Sequence, residues 1–127
     1  MAQAQAQAQI EAQTEEGVLS GNGTYRVTRR EMVAETPDLR MVILTLGAGQ
    51  AVPWHTHTNV TDTFICLEGP MVVEARAPEQ RFELAAGQMC AVSAQRPHYV
   101  HGKDMGPCRF ANLQGVGKYD FNAVPKA

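Results

Sequence analysis

From residue 24 onward, turn-forming residues divide the chain into short runs, and this division restricts the possible fold more than any other sequence feature. The runs with the composition of β-strands cover residues 25–31, 39–46, 51–57, 61–67, 71–74, 81–84, 89–93, 99–101 and 108–114. Gly, Pro, Asp or Asn residues separate them, and no convincing helical pattern lies between them. Short strands about 8 to 12 residues apart predict an all-β sandwich or barrel.

The length of the chain and the composition of its first segment divide it into two regions. A chain of 127 residues is long enough for one domain that needs no disulfides. Residues 1–20 begin with Ala-Gln repeated four times and contain little that is apolar and larger than Ala. We therefore expect this segment to be disordered or a frayed helix. Residues 21–127 are expected to form a single β-barrel domain.

Charge and hydropathy exclude two classes of partner. A net charge of -2 gives no reason to expect binding to nucleic acid or to an anionic membrane. The longest apolar run is much shorter than the roughly 18 residues that span a membrane, and the N-terminus does not resemble a signal peptide. We therefore expect a cytoplasmic protein whose three cysteines remain thiols.

One predicted strand is apolar on both of its faces. Residues 41–46 read Met-Val-Ile-Leu-Thr-Leu, a pattern typical of a strand that is covered on both sides. The barrel interior would cover one face, and a second subunit is a candidate for covering the other. The pattern therefore predicts a homodimer.

Three of the four histidines and one carboxylate have a spacing suited to one metal ion. His55 and His57 lie two residues apart on a predicted strand, so their side chains point to the same face. Asp62 and His98 follow His57 after five and forty-one residues. Three imidazoles and one carboxylate suit a divalent Fe, Mn, Ni, Zn or Cu ion. The alternative is that the histidines are unrelated surface residues.

These residues, together with three glycines, resemble the two motifs of the cupin family. The first motif corresponds to Gly49, His55, His57, Asp62 and Gly69, with Asp62 in the place of the family's Glu. Gly87 and His98 correspond to a degenerate second motif, and the resemblance covers roughly residues 39–115. It implies a single cupin domain, a jelly-roll β-barrel of two antiparallel sheets that is often dimeric. It also implies a metal ion in the barrel mouth.

The role of Asp62 has two interpretations. A predicted hairpin over residues 58–61 would return Asp62 beside His57. Aspartate is one methylene shorter than glutamate, so Asp62 either ligates the metal after a backbone shift or orients a histidine from outside the ligand set. Asp62 is also a candidate catalytic base.

Side-chain alternation suggests which other residues surround the metal. Phe64 and Cys66 share the face of Asp62, and Phe110 is the interior candidate on the last strand. We expect these three to line the pocket. Tyr99 at the barrel mouth could offer its hydroxyl to a substrate. His101 should point to the opposite face as a surface or rim residue, but it is a further catalytic candidate.

Three functions fit such a site. Fe(II) with dioxygen could cleave a catechol, enediol or thiol, whereas Mn, Ni or Zn could stabilise an enolate in isomerase or lyase chemistry. A non-catalytic binder of small molecules is the third. The neutral and apolar pocket residues favour a metal-dependent dioxygenase acting on a small organic molecule.

Overall fold

Two antiparallel β-sheets face each other and form a barrel. This architecture is seen in a computed structural model that describes residues 14–126. The larger sheet has the strand order β1-β2-β3-β10-β5-β8, and the smaller has the order β11-β4-β9-β6-β7. The strands are β1 (Thr14–Ser20), β2 (Tyr25–Thr36), β3 (Leu39–Leu46), β4 (Ala51–Thr56), β5 (Thr61–Glu68), β6 (Met71–Ala75), β7 (Gln80–Leu84), β8 (Met89–Val92), β9 (His98–Gly102), β10 (Cys108–Gly115) and β11 (Asn122–Ala123).

The predicted all-β jelly-roll fold is confirmed, because each of the nine predicted runs corresponds to one strand, with different ends in several cases. Apart from one short 3₁₀ turn at Lys103–Met105, the described residues form no helix. No helix within residues 14–126 is therefore long and apolar enough to cross a membrane.

The prediction of a disordered or frayed segment over residues 1–20 is wrong for residues 14–20. These residues form β1 and pair with β2 from Thr14 opposite Glu31 to Ser20 opposite Tyr25. The segment is ordered because main-chain hydrogen bonds to a sheet edge require no large side chains. Val18 adds an apolar contact with the core. Residues 1–13 lie outside the described part of the chain.

Alternation along the strands fills the barrel with apolar side chains. Leu44, Phe64 and Phe110 are inward-facing and at most 2% exposed. Phe64 and Phe110 meet edge to face, with ring centroids 5.8 Å apart, which is a favourable geometry for aromatic pairs. All three cysteines are free thiols, as predicted, and Cys66 and Cys108 are buried.

Two motif glycines occupy backbone conformations that other residues adopt only with strain. Gly49 has φ +79° in the turn before β4, and Gly87 has φ +88° in the turn before β8. Side chains are disfavoured in this left-handed region. Both turns precede strands of the barrel, so the glycines help determine where those strands begin.

The link between β4 and β5 crosses from one sheet to the other. β4 belongs to the smaller sheet and β5 to the larger, so the predicted hairpin over residues 58–61 is wrong. Local sequence cannot distinguish a hairpin from a crossover of similar length, because the sheet to which each strand belongs depends on distant pairing. The crossover nevertheless returns Asp62 to the neighbourhood of His57.

The outer face of the larger sheet carries a partly exposed apolar row. Ile43, Ala111 and Ile65 are adjacent in register across β3, β10 and β5. Ala111 is buried, whereas Ile43 and Ile65 are of intermediate exposure. The predicted homodimer stays a prediction.

We expect Phe110→Ala to lower the free energy of unfolding by about 3–5 kcal/mol, because it opens a cavity beside Phe64. Met89, which is 63% exposed, provides the control, and Met89→Ala should change the free energy of unfolding by less than about 0.5 kcal/mol. Denaturant titration measures both values. Equal stability of the two variants would contradict the assignment of Phe110 to the core.

Candidate metal centre

The fold brings the four predicted ligands together at one end of the barrel. One ligand atom from each of His55, His57, Asp62 and His98 lies within 4.8 Å of every other. All four residues are at most 2% exposed. His55 lies on β4 and His98 on β9 of the smaller sheet, His57 follows directly after the end of β4, and Asp62 lies on β5 of the larger sheet. The site therefore exists only when the two sheets have closed.

A local irregularity in β4 turns His55 inward. The pairing of β4 with β9 shifts register between Val52 and His55, and both of these residues face the interior although they are three positions apart. Regular alternation would place them on opposite faces. Pro53 lies in this irregular stretch, and bulges are among the few positions at which a sheet accommodates proline.

Main-chain carbonyl groups determine the orientation of all three imidazoles. The Nδ1–H group of His55 donates to the Pro53 carbonyl at 2.7 Å, and that of His98 donates to the Arg96 carbonyl at 2.8 Å. His57 donates from Nδ1 to the Asp120 carbonyl at 2.5 Å. A carbonyl oxygen can only accept, so each Nδ1 carries the proton. In the neutral ring, each Nε2 then has a free lone pair.

These lone pairs converge at distances suited to a shared cation. His55 Nε2 and His57 Nε2 are 3.1 Å apart. Asp62 Oδ2 lies 3.0 Å from His57 Nε2 and 2.8 Å from His98 Nε2. Two ligands at right angles on an ion with bonds of about 2.1 Å are about 3.0 Å apart. Because neutral lone pairs repel each other at such distances, the donor set fits a divalent transition-metal ion.

Burial and mutual contacts perturb the ionisation of the cluster. Burial favours the neutral form of Asp62, but the three imidazoles, whose Nε2 atoms can donate to the carboxylate when they are protonated, outweigh it and hold the pKa of Asp62 well below its ordinary value. Burial lowers the pKa of His55. Burial also opposes protonation of His57, yet its hydrogen bond to Asp62 raises the pKa of His57 overall. The lowered pKa favours the ionised form of the Asp62 carboxyl group, and a negative charge among the imidazoles adds to the attraction for a cation.

An amide pair holds Asp62 from behind. Asn112 Nδ2 donates to Asp62 Oδ1, and Gln114 Nε2 donates to Asn112 Oδ1 at 3.2 Å. An ionised carboxylate can only accept hydrogen bonds, so the NH2 group of Asn112 must face Asp62. The Asn112 oxygen then faces the NH2 group of Gln114, which determines the orientation of the Gln114 amide. Gln114 Oε1 is then buried with no hydrogen-bond partner among residues 14–126. Sequence reasoning did not assign Asn112 or Gln114 to the site.

The motif resemblance and the geometry agree with a match to a known family. The sequence model of the cupin domain matches residues 42–113, which is more than half of the chain. The chain belongs to the cupin family. The matched segment includes all four residues of the cluster. In a separate comparison, no curated protein matches the chain.

Solved structures support the same fold. An uncharacterised protein with a double-stranded β-helix domain from Klebsiella pneumoniae superimposes with a TM-score of 0.64 at 20% identity, covering 88% of this cupin and 100% of that chain. KdgF from Halomonas sp. has a TM-score of 0.59 at 22% identity, with 71% and 81% covered. Oxalate decarboxylase from Lactobacillus farciminis, solved as a formate complex, has a TM-score of 0.63 at 15% identity, with 76% and 31% covered. At these identities the likenesses support the fold alone.

The predicted pocket residues lie inside the barrel at increasing distance from the cluster. Phe64 meets the His98 ring edge to face, with centroids 6.0 Å apart. Phe110 packs against Phe64 on the far side, and Cys66 pairs with Phe110 in register. Phe64 therefore lies beside the metal centre, whereas Phe110 and Cys66 support it from the core.

Tyr99 and His101 lie on the outer face of β9 and do not reach the cluster, and a catalytic role for either stays a prediction. β9 turns His98 and Val100 inward, and alternation turns Tyr99 and His101 to the outer face. There Tyr99 stacks on Trp54, with ring centroids 5.6 Å apart. His101 is on the opposite face from His98, as predicted, but it is only 6% exposed. Its burial is explained by Glu74, whose carboxylate accepts from His101 Nε2 at 2.6 Å.

An aromatic roof covers the cluster on the side away from Phe64. The Phe121 ring stacks on His55 with centroids 4.5 Å apart, and Tyr119 lies 5.4 Å from His57. Tyr25 packs against Phe121 at 5.5 Å. Sequence reasoning missed these residues. The sequence did contain a signal for them. Tyr119 and Phe121 are two residues apart, so in an extended segment after β10 their side chains would point to the same face.

Replacing a cluster histidine should remove the metal, whereas replacing a histidine on the outer face of the same strand should not. We expect His98→Ala to abolish stoichiometric binding of Zn²⁺ or Fe²⁺, because it removes an Nε2 ligand. His101→Ala is the matched control and should retain about one ion per chain. Elemental analysis after dialysis measures both, with circular dichroism to verify folding. Stoichiometric metal in folded His98→Ala would show that the cluster is not the binding site.

Proposed function

We propose that this cupin is a metal-dependent enzyme that acts on a small organic molecule, with dioxygenase chemistry favoured. The proposal is carried by the convergence of three Nε2 atoms whose lone pairs are free because each Nδ1 donates to a carbonyl group. Together with Asp62 they would hold one Fe, Mn, Ni, Zn or Cu ion. When bound, such an ion supplies positions at which substrate and dioxygen can meet, or positive charge that stabilises an enolate.

The lack of a free base near the cluster favours dioxygenase chemistry over isomerase or lyase chemistry. Proton abstraction needs a base that is not itself committed to the metal. Within residues 14–126, Tyr99 and His101 lie on the outer face, and Asp62 faces the three imidazoles. Tyr25 and Tyr119 are closer, but burial raises the pKa of both hydroxyls. A tyrosine hydroxyl is ordinarily protonated at neutral pH, and the raised pKa makes these two hydroxyls still poorer bases.

The residues around the cluster indicate what kind of substrate would fit. Aromatic rings surround the cluster, with Phe64 against His98 on one side and Tyr119 and Phe121 of the roof against His57 on the other. The unpartnered Gln114 Oε1 could accept a hydrogen bond from a hydroxyl or N–H group. A small, partly apolar molecule with one such donor would therefore satisfy both the apolar walls and the amide.

A non-catalytic small-molecule binder is the second candidate, and the closure of the site favours it. All four cluster residues are at most 2% exposed beneath the aromatic roof. An enzyme must admit substrate and release product on every turnover, whereas a binder can keep its ligand enclosed.

Metal analysis followed by oxygen uptake separates these functions. We expect protein purified without chelator or a His tag to contain about one transition-metal ion per chain. The Fe(II)-loaded form should consume dioxygen with a catechol, enediol or thiol substrate. His98→Ala treated in the same way is the control and should consume none above background. Stoichiometric metal without oxygen uptake, or with enolisation of a carbonyl substrate instead, would contradict the dioxygenase assignment.

A second prediction concerns Gln114. We expect Gln114→Met to lower the free energy of unfolding by about 1 kcal/mol, because it removes one neutral hydrogen bond, while the buried acceptor without a partner changes from Gln114 Oε1 to Asn112 Oδ1. The same variant should lower kcat/KM about tenfold for a substrate bearing a hydrogen-bond donor. Asn112→Leu is the contrasting variant and should destabilise the protein, because it removes the donor to Asp62. Destabilisation of Gln114→Met well beyond about 1 kcal/mol would indicate a structural role instead.

A further inference from the structure

We infer that residues 117–126 form a C-terminal strap that positions His57 as a ligand and controls access to the metal centre. The inference rests on the proposed binding of metal by the cluster, and not on which reaction follows. The strap lies beyond residues 42–113, the segment that matches the cupin domain, so nothing in that match accounts for it.

The strap connects the two sheets across the barrel mouth. At its start, the Gly117 N–H donates to the Asp38 carbonyl at 2.7 Å in the turn between β2 and β3. Nearby, the Arg40 guanidinium lies 3.8 Å from the centre of the Tyr119 ring. At its end, β11 pairs with the edge of β4, and the Val124 N–H donates to the Trp54 carbonyl at 3.0 Å. The strap therefore crosses from the larger sheet to the smaller one over the cluster.

Asp120 at the middle of the strap makes two kinds of contact with the His57 segment. Its carboxylate accepts from the Thr58 N–H at 2.8 Å and from the Thr58 hydroxyl at 2.5 Å. Its main-chain carbonyl accepts from His57 Nδ1 at 2.5 Å. The carboxylate contacts hold the backbone of Asp120 in place, and the carbonyl then directs His57 Nε2 toward the cluster. Asp120 is thus a positioning residue, which acts on the metal through His57.

The aromatic side chains of the strap account for the burial of two imidazoles. Phe121 lies nearly parallel to His55, with 16° between the ring planes, and Tyr119 covers His57. If the strap moved away, both rings would lose these contacts and His57 would lose the acceptor that selects its tautomer. Opening of the strap would therefore admit water and ligands and weaken the metal site in the same step.

The strap is attached less strongly than the barrel strands, so local opening is the expected route of access. β11 contributes only two residue pairs, whereas β10 pairs with β3 over eight. Segments with few main-chain hydrogen bonds open at a lower free energy than the whole domain unfolds. A small number of side-chain contacts, chiefly those of Asp120 and Phe121, then sets the equilibrium between the closed and open strap.

The rate of metal release tests this inference in the full-length chain. The protein and its variants are loaded with Zn²⁺ and mixed with the chromogenic chelator 4-(2-pyridylazo)resorcinol, and release is followed by absorbance. We expect Asp120→Ala and Phe121→Ala to accelerate release about tenfold or more, since each loses contacts that hold the strap closed. Asp120→Asn keeps an acceptor for Thr58 and should restore slow release. Lys118→Ala, an exposed position on the same strap, is the matched control and should resemble the wild type.

Amide hydrogen exchange of the metal-free proteins provides a second measurement. Asp120→Ala and Phe121→Ala should accelerate exchange in residues 117–126 and at Thr58, with the strands of the larger sheet unchanged. Wild-type release and exchange rates in both variants would overturn the inference. If the wild-type protein bound no Zn²⁺, the proposed metal site would fail instead. In that case the exchange data would still decide whether the strap holds His57, since unchanged exchange would overturn the positioning role.

Discussion

The hydrogen bonds from three imidazole Nδ1 atoms to main-chain carbonyl groups are the contacts on which the site depends. They fix the tautomer and direction of each ring, so that three lone pairs and a carboxylate oxygen point at one another. Such a cluster is electrostatically unfavourable while it is empty of positive charge, because lone pairs repel at these distances. Two of the carbonyls belong to Pro53 and Arg96, each two residues before the histidine it orients. The third, from Asp120, is contributed by a segment sixty-three residues away from His57.

The barrel converts this arrangement into a strong site by removing water from it. Phe64 supports the cluster on the core side and the aromatic roof encloses it on the other, so every charge acts in a medium of low polarizability. Asp62 remains ionised there because histidines and Asn112 surround it. Because Asn112 donates to Asp62 and Gln114 donates to Asn112, the side-chain carbonyl of Gln114 is without a hydrogen-bond donor among the described residues. An unpaired polar atom is costly in a core, and natural proteins tolerate such atoms at functional sites.

Much of the site could be predicted because its ligands follow the simplest rule of strand geometry. Residues two apart share a face, so His55 and His57 were expected to act together, and the spacing to Asp62 and His98 matched the cupin motifs. The same rule placed His101 opposite His98. It could not show that Glu74 would bury His101, or that Tyr99 would stack on Trp54, because these contacts join strands that are far apart in sequence. The rule also assumes that side chains alternate without interruption, which would place Val52 and His55 on opposite faces of β4. The register shift between them turns both side chains inward.

By itself, the sequence determined the all-β class, the approximate positions of nine strands and the four residues of the candidate metal cluster, because strand alternation and turn residues act over a few positions. Only the tertiary structure decided that residues 14–20 form an edge strand, that the link after His57 crosses between sheets, and that the C-terminal strap covers the site. Each of these depends on which distant segments pair. A main-chain donor or acceptor has the same chemistry in every residue except proline, so the sequence carries almost no information about which partner it will find.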